Sequence, residues 1–469
     1  MNWVVIIMMI NGLSEKRMDL MKIYNKSPIV LQNIMTTLQG MVFKKQRFGE
    51  FYKTALREYS QRSFSNRQEI EDYQWDRCEE LIRYAVKNSE FYKSFYSNID
   101  IDNVIESRDL SMLPILEKEL VRENIESLYT IDPALGISSN TSGTTGKSIK
   151  FIYTKEDFQR RLAYLDFFKM QFGYIPFKMK RASFNSAKII PPKQKRKIFW
   201  RDNLAINQRI YSGYHCKGDN CKYYVDNLNK YKPESLDGYP SALYELSKYI
   251  IDNDVHLTFT PLAIFPTAET LLPHYRTSIE KAFGCKVLDQ YASSEGAPFI
   301  TECNCGHLHY CVDTGVIEFM SDGRMLVTCF ETHGTPLIRY DIGDKAYLSE
   351  TNLQCECGTL YPIVDRIEGR SADYLLSPTN GKFTSIYLSL VSGDFSNSVK
   401  SMQFIQNKID SVDVYIVVDN HWNDNMNQII LDKLHYSLGE SMKITIHKVN
   451  ELQKDPSGKT RFIINNVQN

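Results

Sequence analysis

The chain has 469 residues, 43% hydrophobic and 24% charged, enough for two domains with sizeable cores. Lys+Arg and Asp+Glu each total 56, so the formal net charge is zero and no global basic field exists to hold nucleic acid or an anionic membrane. The opening apolar run Trp3–Ile10 is far shorter than the roughly 18 residues of a membrane span, and it lacks the basic start and small-residue cleavage site of a signal peptide.

That run reads as a buried segment, or as residues upstream of a start at Met18 or Met21. Residues 1–69 form a partly helical extension. Over 70–97, Tyr73, Cys78, Leu81, Ile82 and Ala85 recur at helical spacing, followed by Phe91, Tyr92 and Phe95, and a second helix fits Glu117–Leu128. From about 148 to 330 short apolar runs alternate with helical stretches. Ile149–Tyr153 precedes Phe158–Phe172; Ala242–Asn253 precedes Leu262–Pro266; Leu271–Phe283 precedes Lys286–Tyr291. This alternation predicts an α/β fold with mixed, mostly parallel sheets covered by helices. Val316–Met320, a turn at Asp322-Gly323 and Met325–Phe330 predict an antiparallel hairpin. The tail from about 371, with Asp413–Val418, Gln428–Tyr436 and Lys443–Val449, predicts a separate small α+β domain. The lysines at 178–180 and 193–197 read as solvated loops.

Residues 139–148 read Ser-Asn-Thr-Ser-Gly-Thr-Thr-Gly-Lys-Ser. Glycines allow close backbone approach, and hydroxyl and amide groups can surround phosphate oxygens while Lys147 adds charge. A hydroxyl-rich surface turn has the same composition. A Walker loop needs glycine where Thr141 stands and a helix where a strand is predicted, so a P-loop NTPase is disfavoured.

Four segments follow in order: Tyr291-Ala-Ser-Ser-Glu295, Arg339-Tyr-Asp-Ile-Gly-Asp344, Arg366-Ile-Glu-Gly-Arg370 and Asp455-Pro-Ser-Gly-Lys459-Thr-Arg461. With the loop, they resemble the adenylate-forming superfamily of acyl-CoA synthetases, luciferases and nonribosomal adenylation domains. Asn88–Tyr92, Leu113–Lys118, Gly238–Ser241 and Phe265–Glu269 further resemble the phenylacetate-CoA ligase family, in the branch of CapK-like proteins linked to bacterial polysaccharide synthesis.

The resemblance covers about residues 70–461. It implies a large ATP- and acid-binding domain over 70–369 with a zinc subsite, and a small mobile domain over 370–469. It further implies that Thr141, Ser142, Gly143, Thr144, Thr145, Gly146 and Lys147 hold the triphosphate. Ala268 and Glu269 would lie beside the adenine and Tyr291 would stack on it. Ser294 would contact phosphate, Glu295 would act in catalysis and hold Mg²⁺, and Asp344 and Arg370 would reach the ribose. Lys459 would be the catalytic lysine, stabilising charge as a carboxylate attacks the α-phosphate. The family commonly has Gly-Arg-Ser-Asp-Asp at the hinge; this chain has Gly369-Arg370-Ser371-Ala372-Asp373, leaving Asp373 as the hinge residue.

Cys303, Cys305, His307, His309, Cys311, Cys355 and Cys357 are all able to ligate zinc, and a structural site needs four. Buried reduced thiols are the plainer reading. By similarity to related ligases, Cys303, His309, Cys355 and Cys357 are the expected set. Without an export signal the cysteines fit a reduced cytoplasm and a metal better than disulfides.

The expected activity is ATP-dependent formation of an acyl-adenylate from a small-molecule carboxylic acid. Coenzyme A is the family's default acceptor; a carrier-protein thiol or a sugar amine would suit capsule or O-antigen synthesis. Parts of Tyr164–Phe172, Ser183–Ala187 and Tyr239–Ser241 are expected to wall the acid pocket. A degenerate nucleotide-binding relative and a zinc-stabilised interaction module are the competing readings, and the sequence leaves monomer and homodimer open.

Overall fold

The computed structural model describes residues 14–140, 149–185, 187, 189–191, 194–216, 218–268, 271, 273–350, 354–369, 374–384, 388, 398–418, 422–423, 425–453 and 462–467. These fall into two compact units, the larger taking the described residues up to Asn140 and from Lys150 to Ile367, the smaller taking Ile149 and those from Glu368 onward.

The larger unit opens with the helices Ser14–Lys26, Ile29–Arg47 and Glu50–Gln61. The last of these buries Tyr52, Ala55 and Tyr59 against Tyr164 and Phe299. The helix expected over 70–97 is two. Arg67–Asn88 buries Ile70, Trp75, Cys78, Leu81, Ile82 and Ala85 along one face, and Asn66 caps it by accepting from the Glu69 amide. Ser89 then takes an extended backbone and its Oγ accepts from Tyr92 N, so it ends one helix and starts Glu90–Phe95. The expected 117–128 helix is likewise two, Lys118–Glu123 and Ile125–Leu128, broken at Asn124, whose Nδ2 donates to Leu120 O at 2.9 Å.

Strands β1 (Ile137–Asn140) and β2 (Lys150–Tyr153) pair antiparallel, with Asn140 opposite Lys150. A second sheet contains β3 (Arg181–Asn185), β4 (Trp200–Asn203), β5 (Gln208–Ser212), β6 (Ser235–Gly238) and β7 (Ala263–Pro266), ordered β4-β5-β3-β6-β7. It is parallel apart from β4 on β5. Helices Lys155–Met170, Cys221–Tyr231, Pro240–Asp252 and Pro273–Phe283 alternate with these strands, as the apolar pattern predicts.

The largest sheet departs from that pattern. It holds β8 (Gln290–Tyr291), β9 (Ile300–Glu302), β10 (Leu308–Tyr310), β11 (Gly315–Phe319), β12 (Arg324–Cys329), β13 (Tyr340–Leu348) and β14 (Ile363–Gly369), ordered β11-β12-β13-β14-β10-β9-β8. The pairings β8–β9, β9–β10, β10–β14, β11–β12 and β12–β13 are antiparallel. Parallel pairing needs a crossover of a dozen or so residues, and past the helix Pro273–Phe283 the connections are mostly too short. The turn between β11 and β12 closes through Gly323, at φ +84°, whose amide donates to Met320 O.

The smaller unit has a hairpin of β15 (Tyr374–Ser377) and β16 (Gly381–Thr384). Its main sheet holds β17 (Val399–Lys408), β18 (Ser411–Val418), β19 (Lys443–Lys448) and β20 (Ile463–Asn465), ordered β19-β18-β17-β20. Alternate residues of β18 pack with Ile430, Leu434 and Leu438 of the helix Asn425–Leu438.

Candidate active site

Two motifs separated by 53 residues meet in the larger unit: the Tyr291 hydroxyl donates to Asp344 Oδ2 at 2.8 Å. Tyr291 ends β8 and Asp344 lies in β13, so separate strands of one sheet supply the pair. A carboxylate accepts at about four lone-pair positions, so this bond is compatible with a ribose hydroxyl at the same group.

Between them in sequence, the Tyr291–Glu295 segment turns inward. Glu295 is 4% exposed. Ser294 Oγ donates to its Oε2 at 3.0 Å, and Lys118 Nζ pairs with its Oε1 at 3.3 Å. The backbone around it is held by side chains from elsewhere. Tyr153 OH donates to Ser294 O at 2.8 Å, and Arg161 Nη1 donates to the carbonyls of Gly296 and Ala297 at 2.6 and 3.1 Å. Gly296 sits at φ +97°, and a Cβ there would stand 2.5 Å from Thr332 Cγ2 and 2.9 Å from Tyr153 OH. Gly296→Ala should therefore destabilise the protein by about 1–3 kcal/mol, read as an earlier urea midpoint; an unchanged midpoint would show that the backbone relaxes freely.

Ala268 follows β7 with φ +68°, a left-handed conformation uncommon for a residue with a Cβ. Thr267 N donates to Gly238 O at 2.9 Å, and Gln290 Nε2 donates to Pro266 O at 3.0 Å, tying this corner to the ends of β6 and β8. The strain is localised where the adenine was expected.

Thr141–Lys147, Glu269, Arg370 and Lys459 lie outside the described residues, as do Ala372 and Asp373 of the expected hinge. The segments expected to wall the acid pocket supply core aromatics. Tyr164 stacks on Phe299 with ring centroids 5.0 Å apart, Phe168 meets Phe265, and Phe184 stacks on Tyr211. Sequence reasoning assigned no role to Lys118, Tyr153 or Arg161. Lys118 lay in the quoted Leu113–Lys118 segment, but a single lysine at a helix start reads as a surface residue.

A second cluster sits where β9 and β10 meet the segment before β14. The ligand atoms of Cys303, His309, Cys355 and Cys357 all lie within 4.8 Å of one another. Cys303 Sγ is 3.7 Å from Cys355 Sγ, and Cys357 Sγ is 3.5 Å from His309 Nε2. A zinc tetrahedron with ordinary bond lengths has S–S edges of about 3.8 Å and S–N edges of about 3.6 Å. The donor set and these separations fit zinc.

Local folding explains the convergence. Cys303 and Cys355 each begin a turn closed by a glycine amide, Gly306 N to Cys303 O and Gly358 N to Cys355 O, both 3.0 Å. His309 Nδ1 donates to Tyr361 O at 2.9 Å, which leaves Nε2 to face Cys357. His307 is exposed, but its Nδ1 lies 3.2 Å from Cys355 Sγ, close enough for an N–H···S contact. Cys305 is exposed and turns to Asn304, while Cys311 is buried against Thr301. A third group, Asp157, Glu331 and His333, is satisfied internally: Asp157 binds His333 at 2.7 Å, and Arg160 and Arg77 bind Glu331.

Comparison with known proteins bears on these sites. A family model described as the CapK C-terminal domain matches residues 375–466. Protein CapK of Staphylococcus aureus is 40% identical over 455 residues, covering 95% of this chain and 99% of its own. Indoleacetate–lysine synthetase of Pseudomonas savastanoi is 31% identical over 133 residues, 27% of this chain and 33% of its own length. Among solved structures, 2-hydroxyisobutyryl-CoA ligase with 2-HIB-AMP and CoA in the thioesterification state aligns with TM-score 0.59 at 16% identity, covering 86% of this chain and 90% of that one. Its postadenylation complex with 2-HIB-AMP aligns with TM-score 0.53 at 15% identity, covering 83% and 88%. At that identity the likeness is one of fold.

Proposed function

The chain belongs to the CapK family and has the fold of the adenylate-forming ligases, and from that premise we propose that it uses ATP to convert a carboxylic acid into an acyl-adenylate. The observation that carries this reading is the Tyr291–Asp344 hydrogen bond, which joins two of the motifs that resemble the adenylate-forming ligases, one of which also carries the buried Glu295. A buried carboxylate needs a partner, and Glu295 has a cation and a hydroxyl. Lys118 thus holds the carboxylate in place, and Ser294 orients its second oxygen.

In this reading Tyr291 offers a ring face to the adenine and fixes Asp344 for the ribose. Glu295 would hold Mg²⁺, a hard cation that takes oxygen ligands and draws charge off the phosphates. The loop Thr141–Lys147 would hold the triphosphate and Lys459 would meet the α-phosphate as the acid attacks. Glu269 and Arg370 would complete the adenine and ribose contacts. The acyl group then passes to a thiol, with coenzyme A as the first acceptor to test. Its support is the ligase complex that holds 2-HIB-AMP and CoA. Transfer to an amine is the second test, since the synthetase from Pseudomonas savastanoi is named for joining indoleacetate to lysine. Membership of the CapK family directs the panel of acids and amines towards those found in bacterial surface polysaccharides. The four-residue Cys/His set would carry a structural zinc. Residues 70–369 would act as the nucleotide- and acid-binding domain, and 370–469 as the domain bearing the lysine.

Acid-dependent exchange of pyrophosphate into ATP, run over a panel of carboxylic acids, tests the adenylation. No exchange with any acid, in protein that binds ATP, would favour a nucleotide-binding relative without catalysis. Asp344→Ala should weaken nucleotide binding by about tenfold to a hundredfold, as loss of a charge-assisted hydrogen bond implies. Unchanged ATP affinity by calorimetry would remove Asp344 from the ribose site.

A further inference from the structure

The helix Ile29–Arg47 is inside out. Its face toward the protein is polar or small: Gln32, Thr36 and Gly40 are buried at four-residue steps. Arg201 Nε donates to Gln32 Oε1 at 2.7 Å, Asp202 N donates to Asn33 Oδ1 at 3.1 Å, and Leu204 N donates to Thr37 Oγ1 at 3.2 Å. The contact with β4 is so close that a Cβ on Gly40 would stand 1.9 Å from Asn203 Oδ1. The opposite face carries Val30, Leu31, Ile34, Leu38, Met41 and Val42, which are 43–72% exposed. These recur at three- and four-residue steps and so form one stripe. Leu20 and Ile23 on the preceding helix are also more than half exposed, at 53 and 55%. A helix fastened by hydrogen bonds through its polar face gains nothing by turning aliphatic side chains to water; such a stripe marks a surface covered in use.

Charge selects what covers it. The helix holds no acidic residue; of its last-turn cations, Lys44 donates to Ala205 O and Arg47 packs inward over Phe43 and Phe158, which leaves Lys45 as the one turned outward. Lys45 continues the spacing of Leu38 and Met41, so it sits at the end of the stripe, and Lys22 and Lys26 are exposed on the preceding helix. A second copy laid on this face would bring a like excess of positive charge, since the preceding helix has Lys16, Arg17, Lys22 and Lys26 against Glu15 and Asp19. An anionic bilayer offers both complements, an acyl boundary for the aliphatic side chains and phosphates for the lysines. We propose that the helix Ile29–Arg47 lies in the surface of an anionic phospholipid bilayer and holds the protein there peripherally. Among the described residues no helix is long and apolar enough to cross a membrane. The zero net charge of the whole chain leaves the attraction local to this helix.

Flotation of the full chain with vesicles tests it. The protein should float with phosphatidylserine-containing vesicles, weakly with phosphatidylcholine alone, and less as salt rises. Ile34→Glu/Leu38→Glu should cut anionic-vesicle binding by more than about tenfold. Both positions are exposed, and an unchanged circular dichroism spectrum and melting temperature would confirm that the variant is folded. Equal flotation of variant and parent overturns the proposal. So does binding that survives in that variant but vanishes in Ile6→Glu/Ile7→Glu, which would assign it to the first residues of the chain. Absence of flotation together with a dimer that the variant dissolves overturns it in favour of a second copy.

Discussion

Lys459→Ala is expected to slow acid-dependent pyrophosphate exchange by about 10²–10³-fold while leaving ATP binding within a small factor of the parent. The magnitude is that of removing one preorganised charge from the place where negative charge develops in a transition state. As the carboxylate oxygen attacks the α-phosphate and pyrophosphate leaves, charge spreads over the equatorial oxygens, and an ammonium close to them stabilises that arrangement more than the ground state. ATP binding should survive because Tyr291, Asp344 and Glu295 all belong to the larger unit and the lysine to the chain segment of the smaller one. Lys459→Arg separates charge from position: it keeps the cation on a longer, planar head, and recovery of more than a tenth of the parent rate would mean that charge alone suffices. If the proposed acceptor is a thiol, its acylation from a presynthesised acyl-adenylate should be nearly unaffected by Lys459→Ala. Exchange at the parent rate in Lys459→Ala would take this lysine out of the chemistry.

The elements legible in the sequence were those whose signal is local. The β11–β12 hairpin was announced by Asp322-Gly323 between apolar runs, and β18, the helix Asn425–Leu438 and β19 by their differing periods. Helix boundaries at Ser89 and Asn124 were missed, because a polar side chain at a helix end is indistinguishable in composition from one on its exposed face. The antiparallel character of the largest sheet was only half visible, since pairing direction depends on connection length and long-range register. The order and spacing of motifs singled out Tyr291, Glu295 and Asp344 as candidates. They did not point to Lys118, which reaches Glu295 across 177 residues, or to Arg161, which reaches Gly296 across 135. Such contacts belong to tertiary structure, where a buried carboxylate must find a cation and sequence proximity offers none. The stripe on the helix Ile29–Arg47 was hidden for a related reason: an apolar face is read as core until the structure reveals that the other face is the buried one.

Removing the metal expected at Cys303, His309, Cys355 and Cys357 should cost the larger unit stability before it costs any chemical step. Purified protein should carry close to one equivalent of zinc, and Cys355→Ser or Cys357→Ser should lower this below half. The loss should destabilise the fold by several kcal/mol, because binding energy at a structural site is folding energy. The geometry sets where the damage spreads. His309 lies opposite Thr301 of β9 and Ile363 of β14, so one ligand stands on a strand that pairs with both neighbours. β9 in turn pairs with β8, where Ile300 lies opposite Tyr291. A loosened cluster therefore reaches Tyr291 through two strand pairings, and ATP affinity should fall with stability, while the maximal exchange rate at saturating ATP changes by less than about tenfold. A catalytic zinc predicts the opposite, with the rate lost and the melting temperature kept, because such a site keeps an open position for substrate. Cobalt substitution distinguishes them further: four closed protein ligands including three thiolates should give intense thiolate charge-transfer bands that saturating ATP and acid leave unchanged. Less than half an equivalent of zinc in well-folded parent protein, with a melting curve indifferent to chelator, would return the four residues to the role of reduced thiols beside a histidine.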